Sequence, residues 1–351
     1  MARSLTVGKT TITDDSDCYV IAEIGHNHQG SLEKALALIT AAAESGASAV
    51  KFQKRDNRTL YTKATYDKAY ENENSYGATY GEHREALEFG HAEYDAMKKH
   101  ATGLGVDIFA TAFDFKSADF LAGFDMPAYK LASGDLKNIP LMKYVARIGK
   151  PMIISTGGAT MEDIRRAYDE VMPINTQLCI LQCTAAYPAE AEDLHLRVIS
   201  TFRDAFPGAT VGLSDHYNGI SMALVAYVLG ARVIEKHFTL NHTWKGTDHA
   251  FSLEPLGFSK MVRDLRRARV ALGDGTKYIL PNETNPLIKM GKSLVAERDL
   301  PAGHVLTEAD IAIKSPAGGL PPYEIEQLLG KKLVKAVTLD HPLQFADVTA
   351  G

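Results

Sequence analysis

Cysteine is scarce: only Cys18, Cys179 and Cys183 occur in 351 residues. An odd number of thiols set inside apolar runs suits reduced, buried cysteine better than a disulfide framework. Cys179 and Cys183 share a strand face in LCILQC, which leaves a metal pair conceivable, yet no further Cys or nearby His completes it, so core packing is the plainer reading. Long hydrophobic runs are also missing. The longest apolar stretch, around Met222 to Leu229, is far too short to cross a bilayer, and the opening MARSLTVGKTTITDD has no apolar core of signal-peptide type. Neither sign of charge is in excess: the formal net charge is −5 and the pI near 6.2. That balance excludes a nucleic-acid or membrane-surface partner recognised by a global field, so any anion must be held by local cations. No low-complexity segment and no repeat beyond a βα unit is evident. The expectation is a cytoplasmic chain.

What is present is ordinary globular material, 45% hydrophobic and 23% charged. Eight short apolar runs carry β-type patterns: YVIAEI (19–24), SAVKFQ (48–53), VDIFATA (106–112), PAYKLAS (127–133), KPMIIST (150–156), QLCILQC (177–183), ATVGLS (209–214) and ARVIEKHF (231–238). Helical patterns lie between them, as in SLEKALALITAAAESG, where Leu32, Ala35, Leu36 and Ile39 form the apolar stripe and Ser31 or Gly30 starts the helix. Strict alternation of strand and helix implies parallel strands, and eight units favour closure into a (β/α)₈ TIM barrel of the usual ~250 residues. The eighth helix falls at 257–273, which makes 1–273 the barrel domain. Residues 274–291, rich in Gly, Pro, Asn and Thr, read as a linker. Residues 292–351 form a second, mainly-β domain of about 60 residues, too small to bury a large core alone. The polar and aromatic segment from Lys54 to Gly90 is too long for an idle connection and reads as a loop folded over the barrel mouth.

All eight runs end in polar or ionisable residues: Glu23, Lys51 with Gln53, Thr111, Lys130 with Ser133, Ser155, Thr184, Ser214 with His216, and Glu235 with His237. In a (β/α)₈ barrel these C-terminal strand ends converge on one site. Alternation in SAVKFQ points Lys51 into the barrel, and Lys130 poses the same problem of a buried ammonium without a partner. Two inward lysines with Ser133, Ser155, Thr156 and Ser214 suit a dianion, while two salt bridges, for instance to Glu23 or Glu235, are the alternative. His216 and His237, on adjacent strands, suit a divalent ion with positions left open to water and substrate. Mn²⁺ or Mg²⁺ would then act as a Lewis acid on a carbonyl, whereas zinc would want a third strong protein ligand. Glu23 and Asp248 can serve as acid or base, or simply as countercharges. His26 and His28 read as loop-lining.

At these residues the chain closely resembles the sialic acid synthase family. The matching stretches are AEIGHNHQG, VKFQK, YGEHREALEF, PAYKLASGD, ISTGG, LQCTAAYP, GLSDH, EKHFT and WKGTDHAFSLEP, and RDLPAGHVLTEADI with LPPYEIEQLLGKKL resembles that family's antifreeze-like (SAF) domain of β-clip type. The resemblance implies a metal-dependent barrel that condenses phosphoenolpyruvate (PEP) with N-acetylmannosamine or its 6-phosphate, in a domain-swapped homodimer. By the same resemblance, Lys51, Gln53, Asn74, Lys130, Ser133, Ser155 and Ser214 match PEP and sugar contacts, with Thr111 a weaker transfer. His216 and His237 match metal ligands, Glu23 the acid or base, and Asp135, Tyr187 and Asp248 acceptor-sugar contacts. Two positions depart from the pattern: many bacterial members have Asn where Ala185 stands and Arg where Ser315 stands. FQK, TYGEH, LQCTAAYP and TWKGTDH are closer to the animal-type branch, which acts on the 6-phosphate. Lys54, Arg55, Lys63 and Arg84 are spare cations that could meet a second phosphate or form a solvated loop. Rival readings are a related nonulosonic acid synthase, a Schiff-base aldolase or lyase using Lys130, and a non-catalytic carbohydrate-binding protein.

Overall fold

The computed structural model describes residues 3–349, which divide into two compact units, one ending at Gly273 and one starting at Asp274. The first opens with an antiparallel hairpin, β1 (Ser4–Val7) and β2 (Thr10–Thr13), that the sequence reading did not anticipate. Its signals are short: apolar Leu5, Val7 and Ile12 at alternate positions, and Gly8, whose positive φ of 55° suits a two-residue hairpin turn. All three apolar side chains are fully buried, and the Thr6 amide donates to the Gln177 side chain at 2.9 Å, so the hairpin packs at the N-terminal end of the strands that follow.

Those strands are β3 (Tyr19–Gly25), β4 (Ala49–Lys54), β5 (Asp107–Ala112), β6 (Tyr129–Leu131), β7 (Met152–Ser155), β8 (Leu178–Cys183), β9 (Thr210–Asp215) and β10 (Val233–His237). They pair in parallel and in chain order, and β10 closes on β3, giving the expected eight-stranded barrel ringed by helices. The first helix runs Leu32–Glu44 with Ser31 as its N-cap, as the side chain accepts from the Lys34 amide. Its buried stripe is Ala35, Leu38, Ile39 and Ala42, whereas Leu32 and Leu36 are half-buried at the stripe's margin. Outward faces of the strands meet the helices and are mainly apolar; among their polar residues, Gln182 donates to the Leu194 carbonyl at 3.1 Å, and Lys236 and Asp215, register partners on β10 and β9, are buried and joined at 2.8 Å. No helix among the described residues is long and apolar enough to cross a membrane.

In the second unit, the stretch read as a linker is not featureless. It holds a 3₁₀ turn at Pro281–Glu283 and a helix at Thr284–Met290, with Pro286 tolerated because it falls in the first turn, where amides lack helical acceptors anyway. Beyond it, β11 (Ser293–Ala296) and β12 (Ile311–Lys314) pair antiparallel over a core of Leu294, Leu300, Leu306, Leu328, Leu333 and Leu343. This unit contains a repeat that the sequence reading missed. His304 meets Asp310 at 2.9 Å and His341 meets Asp347 at 3.1 Å, each carboxylate also accepting the backbone amide three residues before it, from Thr307 or Gln344. The match HVLTEADI to HPLQFADV is visible once the geometry is known, but only the histidine, one leucine, an alanine and the aspartate are shared.

Asp310 is buried, and although burial alone would raise its carboxyl, hydrogen bonds from His304, Thr307 and Arg298 hold it below the usual carboxylate range. A folded-state value below the unfolded one contributes stability that is present above the unfolded value and lost as pH falls. Urea unfolding followed by circular dichroism should therefore weaken as pH drops below about 4, the unfolded aspartate value. In Asp310→Asn, the amide would oppose N–H donors, costing about 1–3 kcal/mol at neutral pH and flattening that acid dependence.

Candidate active site

The inward faces of the barrel strands put charge where a core would otherwise be apolar. Register makes Glu23 a neighbour of Lys51 on one side and of His237 on the other, sets Thr111 between Gln53 and Lys130, and pairs Glu235 with Ser214. The Lys51 ammonium lies 2.5 Å from one Glu23 oxygen and 3.7 Å from Glu235, and donates to Thr111 Oγ1 at 2.9 Å. Lys130 donates to Ser155 Oγ at 2.7 Å and to the Leu131 carbonyl at 2.9 Å. Gln53 Nε2 donates to the other Glu23 oxygen at 2.8 Å, and Ser214 donates to Glu235 at 3.1 Å. The two readings of the lysines are thus not exclusive: both point into the cavity, and Lys51 is ion-paired there. Burial raises Glu23 above the ordinary carboxylate range despite Lys51. Burial would raise Glu235 as well, but Lys130 and Lys51 outweigh it and hold it low. Burial lowers Lys130, with Glu235 opposing.

At the strand 9 and 10 edge, His216 and His237 stand with ring centroids 5.3 Å apart. His216 Nδ1 lies 2.8 Å from the Thr184 carbonyl, which makes that nitrogen the donor and leaves Nε2 with a free lone pair. His237 Nδ1 is buried without a hydrogen-bond partner, 3.7 Å from Asp248, and burial holds this imidazole below its usual value with Asp248 opposing. Two adjacent imidazoles, each with a nitrogen turned to the cavity, fit a divalent ion that completes its shell from water and substrate, although among the described residues no group of three or more His, Cys, Asp or Glu is placed to hold a metal. Tyr187, 58% exposed, stacks over His216 at 4.2 Å, and Phe251 backs His237 at 4.9 Å.

These groups open on one cavity of about 670 Å³. Of the residues expected at the site, Glu23, Lys51, Gln53, Asn74, Thr111, Lys130, Ser133, Ser155, Tyr187, Ser214, His216, His237 and Asp248 all line it. Asp135 does not. The 3₁₀ turn Ser133–Asp135 sends Ser133 inward and leaves the Asp135 carboxylate accepting from Asn138 at 3.3 Å. Thr156 and Thr184 are also spent elsewhere, donating to the Leu181 and Asp193 carbonyls. The period-two alternation explains it: strand 8 presents Cys183 and Ala185 to the cavity, so Thr184 faces away. The long loop after β4 does fold over the mouth, contributing Asn74, Tyr76, His83 and Arg84; Asn74 accepts from the Gly246 amide at 2.8 Å. Among the spare cations, Arg55 and Arg84 line the cavity, Lys54 is tied to Glu88 at 3.1 Å, and Lys63 is exposed and paired with Asp67. His26 lines it too, whereas His28 stacks on Phe89 at 4.1 Å. Cys183 was missed as a wall residue because it reads as core; Cys179, four residues earlier, is core. Two glycines make room. A Cβ on Gly157 would fall 2.8 Å from both Ser133 Oγ and the Ala185 Cβ, and one on Gly25, at φ 53°, 3.1 Å from Glu23 and Gln53.

Residues 38–277 match the NeuB family model and residues 291–349 the SAF domain. The chain belongs to the NeuB family. Human N-acetylneuraminate-9-phosphate synthase is 41% identical over 92% of this chain and 90% of its own length. N,N'-diacetyllegionaminic acid synthase of Legionella pneumophila is 36% identical over 90% of each. The crystal structure of the N-acetylneuraminic acid synthetase of Leptospira borgpetersenii, in complex with citrate, superposes with a TM-score of 0.71 at 30% identity, covering 82% of this chain and 96% of that one. The resemblance drawn from the strand-end motifs is therefore confirmed at the level of the family, both domains included. In this NeuB barrel, Ala185 lines the cavity, while Ser315, in the small unit, accepts from Lys292 at 2.7 Å.

Glu235 is the main countercharge acting on Lys130 and the second partner of Lys51, and its loss leaves Lys130 without its main countercharge and Lys51 with Glu23 alone. Glu235→Gln should lose about 3–5 kcal/mol of stability in phosphate-free buffer. Inorganic phosphate should restore part of the urea midpoint by binding the freed cations, and more than it stabilises the parent. A variant whose midpoint ignores phosphate would show that the lysines hold no anion.

Proposed function

We propose that this chain is a sialic acid synthase that condenses PEP with N-acetylmannosamine or its 6-phosphate, yielding N-acetylneuraminate or its 9-phosphate and inorganic phosphate. The observation that carries the reading is the placement of two buried lysines, with serine hydroxyls beside them, in the same cavity as a pair of unengaged imidazoles. The names of the curated relatives support it, and the legionaminate-type relative keeps a related nonulosonic acid as the second reading of the acceptor.

Lys51, Lys130, Ser133, Ser155 and Ser214 hold the carboxylate and phosphate of PEP, a preorganised electrostatic role that costs no reorganisation during reaction. Asn74, Tyr187 and Asp248, around the upper wall, position the open-chain sugar. His216 and His237 would hold Mn²⁺ or Mg²⁺, which when bound supplies Lewis-acid polarisation of the sugar aldehyde. A bond forms between the PEP methylene carbon and the aldehyde carbon, and the aldehyde oxygen takes up a proton. Water then adds at C2, giving one proton to a carboxylate, and the bond from C2 to the phosphate oxygen breaks as the C2 hydroxyl becomes the keto oxygen and its proton leaves with the phosphate. Glu23 is the group for this proton traffic, because burial raises its carboxyl above the ordinary value while Gln53 and Lys51 fix its two oxygens. Holding both reactants in register contributes roughly 7–11 kcal/mol in favourable cases.

Phosphate release from PEP, measured with N-acetylmannosamine and with its 6-phosphate, tests the assignment. Release should stop on complete removal of divalent metal and return with Mn²⁺ or Mg²⁺. Survival without metal removes the metal role, and borohydride trapping of a pyruvate adduct on Lys130 would favour the imine chemistry instead. Glu23→Gln should lower kcat by about 10²–10⁴-fold, the usual weight of a positioned acid or base.

The small unit is proposed as a lid donated to a second copy in a homodimer. In support, Tyr278, Ile279, Leu287, Ile288 and Met290 are exposed on the connecting stretch, a concentration of apolar surface that a monomer would leave in water. Deleting residues from Gly291 onward should abolish turnover if the unit is a lid, whereas retained turnover would make it an independent binding module.

A further inference from the structure

We propose that Arg55 and Arg84, with His26 between them, form a second anion seat in the cavity, built for a phosphate monoester carried by the acceptor sugar. The inference rests on the synthase reading above and specifies its acceptor as a phosphorylated N-acetylhexosamine.

The cluster has more donors than acceptors. Arg55 is buried, gives Nη2 to Gln53 at 2.7 Å and directs Nη1 at His26 Nε2, 3.1 Å away, while its Nε is buried with no partner. Its nearest carboxylate, Glu88, stands 3.9 Å off, and the other Glu88 oxygen already accepts from Lys54 and from the Arg55 amide. Arg84 gives Nε and Nη2 to the Tyr80 hydroxyl at 3.1 and 2.9 Å and directs Nη1 at His26 Nδ1, 3.3 Å away. Among the described residues no carboxylate pairs with it. His26 cannot satisfy both arginines. A neutral imidazole has one acceptor nitrogen and one N–H, so one of the two guanidinium groups faces a donor.

Three further features suit an oxyanion. The Arg55 guanidinium lies 3.7 Å over the Phe113 ring and that of Arg84 5.1 Å over Tyr80, so stacking holds both planes in place. His26, Arg55, Arg84 and Phe113 all line the cavity that contains Lys51 and Lys130. The two cation sets also come from different parts of the fold: the lysines from barrel strands, Arg55 and Arg84 from the segment between β4 and β5, Arg84 on its short helix at Tyr80–Glu85. A dianion offers several acceptor lone pairs to the unengaged N–H groups, and planar forks match its oxygens.

The test uses the full chain and phosphate release from PEP, with N-acetylmannosamine and N-acetylmannosamine 6-phosphate compared in the parent, Arg84→Gln and Arg84→Lys. Arg84 is chosen because it is less buried than Arg55, and thermal melts verify folding. The parent should prefer the phosphorylated sugar in kcat/KM. Arg84→Gln should reduce kcat/KM for that sugar by about 10- to 150-fold relative to the free one, the worth of charge-assisted hydrogen bonds. Arg84→Lys, which keeps the charge, should recover part of the preference. Equal losses with both sugars, or a parent that prefers the free sugar, overturn the seat and leave the synthase reading standing. If neither sugar supports release, the synthase reading falls and the seat with it.

Discussion

The barrel interior depends on one constraint: Lys51 and Lys130 are buried cations and must be compensated from neighbouring strands. An unpaired ammonium in such a place costs several kcal/mol, and removing either partner of a buried pair costs nearly as much. Glu23 and Glu235 provide the compensation, and parallel register brings them there, since Glu23 lies beside Lys51 on the adjacent strand and Glu235 reaches across to it. The same four groups make the floor of a cavity. A fully satisfied pair would only hold the barrel together, but Lys130 has hydroxyl and carbonyl partners in place of a close carboxylate, which leaves its charge available to an incoming anion.

The groups around this network are held by backbone. The Thr184 carbonyl sets the tautomer of His216, the missing side chains at Gly25 and Gly157 let Glu23, Gln53 and Ser133 approach the chain, and Phe251 supports His237. Such supports decide whether a constellation is aimed to within a fraction of an ångström, the tolerance catalysis requires. Above the floor, the segment after β4 adds residues without barrel periodicity: Arg55 and Arg84 face His26, and Lys54 is neutralised by Glu88. Segments carried at the mouth of a rigid barrel are a common place for residues that bind substrate.

The family's strand-end motifs and the eightfold alternation were legible because both rest on local periodicity, period two in strands and 3.6 in helices, which a sequence displays directly. Lys51, Glu23, Ser214, His216 and His237 could be placed at one rim for that reason. The alternation also contained the information that Thr184 must face away while Cys183 and Ala185 face in, and attention to hydroxyl chemistry hid it. The N-terminal hairpin was overlooked because two four-residue strands carry little periodic signal, and the HxLxxAD repeat of the small unit because so few of its residues are identical.

By itself, then, the sequence determined the barrel, the two-domain order, the family and the roster of ionisable groups at the strand ends, all of which follow from side-chain type and spacing along one chain. Tertiary structure decided which of those groups meet. That Glu235 serves two lysines, that Asp135 turns out of the cavity, and that Arg55 and Arg84 converge on His26 are outcomes of strand register and loop path. Such contacts join residues tens to hundreds of positions apart, and no local period encodes them.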